Sequence, residues 1–165
     1  MRILPKVLCG AACLFVLAQV AGAQQTAIAF KGLRAGAGQP VEITADSLSV
    51  DEQASNATFS GHVLAVQGDL KLSSDTLLVT YVKGDKTKID TLTADGQVLM
   101  STPTEAAQGA KAVYSLTDRQ IEMTGDVVLT QGTSVMSGNR LVVDLNSGTG
   151  HMDGRVKTLL QPGGN

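Results

Sequence analysis

The side chains able to do chemistry in this 165-residue sequence are few: two histidines, two cysteines and a scatter of acids. His62 and His151 stand far apart, and neither has a second His, a Cys or a close acid pair at metal-ligand spacing. A single imidazole beside Gly61 in an alternating segment reads as a surface side chain, because one ligand does not make a site. Asp46, Asp51, Asp75, Asp90, Asp95, Asp118, Asp144 and Asp153 fall mostly at the ends of apolar runs. Asp in such places makes Asx turns, and no two of these acids are singled out at the fixed gap that glycoside hydrolysis needs. There is no Gly-x-Ser-x-Gly elbow and no phosphate loop. Gly36-Ala37-Gly38 neither follows a strand nor opens a helix, so it is no dinucleotide loop. The residues therefore predict no enzyme, no cofactor and no metal.

Both cysteines, Cys9 and Cys13, sit in an amino-terminal segment with the marks of export. Arg2 and Lys6 give a positive start, Val7 to Val20 is apolar and uncharged, and Ala21-Gly22-Ala23 is a small-x-small cleavage signal. The run is short of the roughly 20 apolar residues of a membrane span. Too little apolar chain precedes Cys13 for a lipoprotein signal. Residues 1–23 are expected to be a cleaved signal peptide, leaving a thiol-free periplasmic chain from Gln24 that can form no disulfide. A formal net charge of −2 and 3 % aromatic residues argue against nucleic-acid binding, which needs a basic stripe and stacking platforms.

What must position any site is a set of strands. Residues 24–39 read as a flexible lead-in carrying Gly32, Gly36 and Gly38. From Pro40, Val41, Ile43 and Ala45 alternate with polar residues, then the phase flips so that Leu48 and Val50 are the apolar positions. Such a flip implies a bulge or a new strand. Alternation recurs at Leu70 and Leu72, at Leu77 to Tyr81, at Ile121 and Met123, and at Leu141 to Leu145, with no helical stripe between.

An internal repeat organises these runs. Asp46-Ser47-Leu48 leads to Gly61-His62-Val63, Asp75-Thr76-Leu77 to Gly96-Gln97-Val98, Lys111-Ala112-Val113 to Gly125-Asp126-Val127, and Asn139-Arg140-Leu141 to Gly154-Arg155-Val156. The Gly-x-Val points are 35, 29 and 29 residues apart. Repeats of this length stack so that each unit buries its neighbour, and each would hold about three short strands. Four glycines in register inside strand patterns mark bends where the sheet curls. The expected fold is all-β, a single rolled antiparallel sheet of the β-roll or jelly-roll kind.

Strand parity, with both phases allowed across the bends, turns Val41, Ile43, Leu48, Val50, Phe59, Val63, Leu77, Val79, Val98, Met100, Tyr114, Leu116, Met123, Val127, Leu129, Leu141 and Val143 inward. Whether they make a closed core or a groove is not decided by periodicity. The two ends, Pro40 to Ala45 and Arg155 to Leu160, lack a capping helix or a Lys-rich edge and are either blunted by the tails or free to pair with another chain.

Gln39-Pro40-Val41-Glu42-Ile43-Thr44-Ala45-Asp46, Phe59-Ser60-Gly61-His62-Val63 and Val66-Gln67-Gly68 resemble the OstA-like domain of periplasmic lipopolysaccharide transport proteins. Thr124-Gly125-Asp126-Val127 with Thr130-Gln131-Gly132 fits the same repeat. The resemblance covers a domain at 40–160, followed by a short tail at 161–165. It implies a V-shaped β-jelly roll whose inward residues line an acyl-chain groove for lipopolysaccharide. It implies head-to-tail stacking of such rolls into a bridge between the membranes, with an LptC-like inner-membrane partner and an LptD-like outer-membrane partner. On the residues alone two other readings stay open. One is a self-assembling β-solenoid without lipid; the other is a secreted hydrolase, disfavoured by the lack of a nucleophile–base pair. An LptC-like relative is a further alternative within the family.

The export segment generates the first prediction. Amino-terminal sequencing of the mature protein should begin at Gln24; a retained leader or a lipid on Cys13 contradicts it.

Overall fold

The computed structural model describes residues 28–29 and 39–159. The signal segment, the carboxyl-terminal tail and most of the lead-in lie outside the described residues. Among the described residues the chain is strand and turn throughout: β1 Ile28–Ala29, β2 Glu42–Thr44, β3 Ser47–Asp51, β4 Asn56–Gln67, β5 Leu70–Val82, β6 Asp85–Ser101, β7 Glu105–Ser115, β8 Gln120–Gln131, β9 Ser134–Asp144, β10 Thr149–Asp153 and β11 Lys157–Leu159. They form one antiparallel sheet in the order β1-β10-β9-β8-β7-β6-β5-β4-β2, with β3 also on β4 and β11 also on β9. The sheet does not close on itself.

The turns follow from local chemistry. Asp51 Oδ1 accepts the amides of Gln53 and Ala54, each at 2.9 Å. Asp144 Oδ1 accepts those of Asn146 and Ser147 at 2.7 and 3.0 Å. These are Asx turns, which satisfy backbone donors just where a strand must reverse.

The strands are longer than their sequence signal. The repeat does not hold three short strands; it holds two long ones, each crossing a bend. At every Gly-x pair both residues take positive φ: Gly61 and His62, Gly96 and Gln97, Gly125 and Asp126, Gly154 and Arg155. The ladder slips there, between Ser60 and Val63, Asp95 and Val98, and Thr124 and Val127. Two left-handed residues in one strand turn its direction while keeping its inner face inner, so Phe59 and Val63 both point inward. The facing strand crosses the bend with a change of parity, from Ser74 to Leu77. Central strands run through the bend, whereas the edge strands break at it, as β2/β3 and as β10/β11.

The bend divides the sheet into two leaves that face each other. In the first leaf Val50, Ala57, Val79, Leu92, Tyr114, Ile121 and Val143 lie in register across successive strands. In the second, Ile43, Ala65, Leu72, Met100, Ala107, Leu129 and Met136 do the same. Each row supplies one apolar side chain per strand to the interior, as a period-two pleat requires. The lead-in is not wholly free chain: Ile28 and Ala29 pair with Gly150 and Thr149, and Gln131 Nε2 donates to the Ala29 carbonyl at 3.0 Å. Strand β1 thus ties the two leaves together at the carboxyl-terminal edge.

Each bend glycine is wedged against the neighbouring strand. A Cβ on Gly61 would strike the Asp46 carboxylate and one on Gly96 the Asp75 carboxylate. On Gly125 it would come within 2.5 Å of Ala110 Cβ. Gly84 also has positive φ, +86°, but open space around it. Gly96→Ala should therefore cost about 3 kcal/mol and Gly84→Ala about 1 kcal/mol, read from denaturant midpoints. Equal losses would mean that the wedge contributes nothing beyond backbone strain.

Candidate functional site

Because the leaves face each other without a hydrogen-bonded seam along their whole length, their inner faces meet as side chains. Leu77, Val79, Met123, Val127, Leu129, Leu141 and Val143 are almost fully buried and close the interior from β5 to β9. Nearer β4 the leaves part around a narrow apolar cleft. Leu92, Ala112, Tyr114 and Ile121 line it from the first leaf, and Val41, Ala65, Leu72 and Met100 from the second. Among the described residues Gln67 and Ser74 are the buried polar ones; Gln67 Nε2 donates to the Gln39 carbonyl at 2.9 Å and Ser74 Oγ to the Thr76 carbonyl at 2.8 Å.

Beyond β4 the interior opens. Leu48 and Val50 continue the inward rows of the first leaf, opposite Phe59 and Ala57, yet are 55 % and 62 % exposed. Among the described residues no further strand covers them. At the lips of the two leaves a second, wetter cleft of about 330 Å³ joins Gln39, Val41 and Gln67 to Thr87, Ile89, Tyr114, Leu116 and Arg119. It shares Val41, Gln67 and Tyr114 with the apolar cleft, so the two are continuous. Burial pushes the Tyr114 hydroxyl above its ordinary value, against the opposing field of the Arg119 guanidinium.

All seventeen residues assigned inward by parity lie on inner rows or pack against the core. The structure divides them. Val41, Met100 and Tyr114 line the apolar cleft, Leu116 its mouth, and Leu48 and Val50 the open edge. Ile43 and Phe59 are partly buried beside it. Val63, Leu77, Val79, Val98, Met123, Val127, Leu129, Leu141 and Val143 are core. Parity missed Ala65, Leu70, Leu72, Leu92, Ala112 and Ile121 on the cleft wall. Leu70, Leu72 and Ile121 carried the same alternation as the residues chosen; the two alanines carry too little apolar surface to stand out.

The ion-paired groups lie on the outside, whereas Glu105, two residues before the inward Ala107 on β7, keeps its Oε2 buried and accepts Gln131 Nε2 on Oε1 at 3.1 Å. Arg140 reaches Glu122 at 2.7 Å and Asp153 at 3.3 Å, and His151 lies 3.7 Å from Asp153. The Arg140 guanidinium holds the Glu122 carboxyl below the usual carboxylate range. His62 Nδ1 sits 2.7 Å from Asp46 Oδ2 on a side chain that is 92 % exposed. No three His, Cys, Asp or Glu side chains among the described residues are grouped as a metal site. A largely apolar interior with polar lips and no reactive cluster among the described residues can bind and guide an aliphatic ligand.

The comparisons with known proteins agree with that chemistry. The family described as "LptA/(LptD N-terminal domain) LPS transport protein" matches residues 42–149. The chain belongs to this lipopolysaccharide transport family. It is 31 % identical over 157 residues to an uncharacterized protein of Rhizobium meliloti, covering 89 % of this chain and 84 % of that one. It is 29 % identical over 111 residues to the lipopolysaccharide export system protein LptA of Escherichia coli K12, covering 62 % of this chain and 58 % of that one. In fold it is similar to the crystal structure of LptH, the LptA-homologous periplasmic component of the lipopolysaccharide transport device of Pseudomonas aeruginosa. The TM-score is 0.69 at 19 % identity, over 77 % of this chain and 99 % of that chain. The rolled, unclosed antiparallel sheet of this family is the fold expected from the repeat.

The first bend carries a pH signature. The hydrogen bond and charge of Asp46 raise the His62 pKa above 6.5. A group raised on folding stabilises the fold fully below its unfolded pKa and loses that contribution as pH rises through the folded value. An NMR titration should place the His62 ring above 6.5, with Asp46→Asn returning it toward that value. A ring unmoved by Asp46→Asn removes the pair.

Proposed function

We propose that this chain carries lipopolysaccharide across the periplasm as a segment of a protein bridge, with the acyl chains held between the two leaves. The observation that carries the reading is the apolar interior that continues past the last covered strand and ends, exposed, at Leu48 and Val50. A closed core has no need of inward apolar side chains left in water at about 25 cal/mol per Å²; a conduit that continues into a neighbour does. In this reading the residues at the cleft and open edge, Val41, Ile43, Leu48, Val50, Phe59, Met100, Tyr114 and Leu116, touch lipid. Val63, Leu77, Val79, Val98, Met123, Val127, Leu129, Leu141 and Val143 form the wall behind them.

Assembly follows from the edges. Strands β2 and β3 leave backbone groups unpaired at one end of the sheet, and β11 with β1 at the other. Strand addition between unlike ends satisfies both, and such a heterologous contact extends rather than closes. The same ends would receive an LptC-like protein at the inner membrane and an LptD-like protein at the outer membrane. Export by a cleaved signal peptide would place the chain between them.

A photo-crosslinking residue at Tyr114 or Leu48 in cells should yield lipopolysaccharide adducts, while Lys111 and Ser115, on the outer face, should yield none. Leu48→Asp should shift the light-scattering mass toward monomer and keep the β-type far-ultraviolet spectrum. Equal labelling of both faces removes the groove. Filaments without any co-purifying lipid favour the self-assembling solenoid instead.

A further inference from the structure

The wetter cleft at the lips differs from the apolar cleft in one respect: it holds a cation. Arg119 ends the four-residue turn between β7 and β8, at a left-handed φ of +55°. That turn is clamped on both sides. Leu116 donates its amide to the Asp90 carbonyl at 2.9 Å, and Leu145 donates its amide to the Arg119 carbonyl at 2.9 Å. Thr117 Oγ1 donates to Asp90 Oδ1 at 2.9 Å, and Ser115 Oγ to Asp118 Oδ2 at 2.8 Å. Asp118 in the turn and Asp90 on the neighbouring β6 are thus engaged by hydroxyls. No acid lines this cleft among the described residues, and no carboxylate lies within ion-pair distance of the Arg119 guanidinium among them.

A guanidinium offers a planar fork of donors that fits a phosphate or carboxylate through two parallel hydrogen bonds. Left unpaired on an ordinary surface it would be unremarked. Here it stands where Tyr114 joins the two clefts, above a wall of Ile89, Leu116 and Val41. A ligand whose tail fills the apolar cleft must present its head at these lips. The partial exclusion of water there, which also raises Tyr114, strengthens a charge-assisted contact relative to open solvent.

We propose that Arg119 is a specificity residue that pairs with a phosphate on the headgroup of the bound amphiphile, while the cleft beneath takes an aliphatic tail. This rests on the groove reading above and adds to it the sign and place of the headgroup contact.

The test uses the purified full mature chain and fluorescent lipopolysaccharide, either intact or with its phosphates removed by hydrofluoric acid. Arg119→Gln should weaken binding of the intact probe by about tenfold and leave the dephosphorylated probe unchanged. Arg119→Lys should restore part of the loss, and Lys111→Gln, a cation lost from the outer face, should change neither. The loss should shrink as salt rises. Inorganic phosphate at millimolar concentration should not displace the intact probe, because it lacks the tail. Equal weakening of both probes by Arg119→Gln assigns the residue a structural role and overturns the proposal, as does no weakening of either. Displacement by inorganic phosphate alone overturns the headgroup as its source. Failure of wild-type protein to bind either probe sinks the groove reading itself, and this proposal with it.

Discussion

Everything in this molecule depends on backbone placed where side chains ordinarily forbid it. Two successive left-handed residues, repeated four times in register, fold a single antiparallel sheet across its own strands. The cost at each is of order 1 kcal/mol or more for the residue that is not glycine. His62, Gln97, Asp126 and Arg155 take that place. The burial of two apolar faces against one another offsets it. A flat sheet of the same sequence would leave one long apolar face in water; a bent one covers each half with the other.

The neighbouring strand completes the device. Asp46 and Asn139 donate their amides to the carbonyls of Gly61 and Gly154, and Asp75 and Ala110 sit against Gly96 and Gly125. Short side chains are required at these positions because the glycine they face has no room for a Cβ. The bend is therefore a two-strand property, and a change on either strand is felt by the other. That coupling explains why β2/β3 and β10/β11, which at the bend have only β4 or β9 beside them, break there while the inner strands continue through it.

Much of this was legible in the sequence, because the glycines interrupt clean alternation at fixed intervals. Val, Leu and Ile at every second position identified the inner rows, and the absence of a nucleophile or metal cluster pointed to binding. The strand count was not legible. Leu70-Lys71-Leu72 and Leu77-Leu78-Val79 have opposite parity and read as separate strands, yet both belong to β5. Parity alone does not distinguish a bend from a break. The third unit also misled: aligning it on Lys111 gives a spacing of 14 to Gly125, whereas the residue at the bend is Ala110, whose spacing of 15 matches Asp46 to Gly61 and Asn139 to Gly154. Ala has none of the turn chemistry of Asp or Asn, so it gave no signal. The short pairing of Ile28 and Ala29 was invisible for the opposite reason, being two residues with no period at all. Arg119 was missed because nothing in a turn sequence reveals that the turn overhangs a cleft.

The chemistry of the interior bears on why a transport protein of this family is built this way. The hydrophobic effect is non-directional and scales with area, so a wall of Leu, Val, Ile, Met and Ala holds an aliphatic chain without fixing its position along the wall. A buried donor or acceptor left open would act as a sticking point, worth about 1–3 kcal/mol wherever a ligand group met or blocked it. Gln67 and Ser74 are both turned to backbone carbonyls instead. The salt-bridged groups, Glu122, Arg140 and Asp153, are on the outer face, turned away from the space between the leaves. On the proposed reading, polar recognition would fall to the lips. In that reading, separating a smooth, weakly discriminating interior from a localised polar contact would let a ligand be held by its size and apolar area while still free to move on.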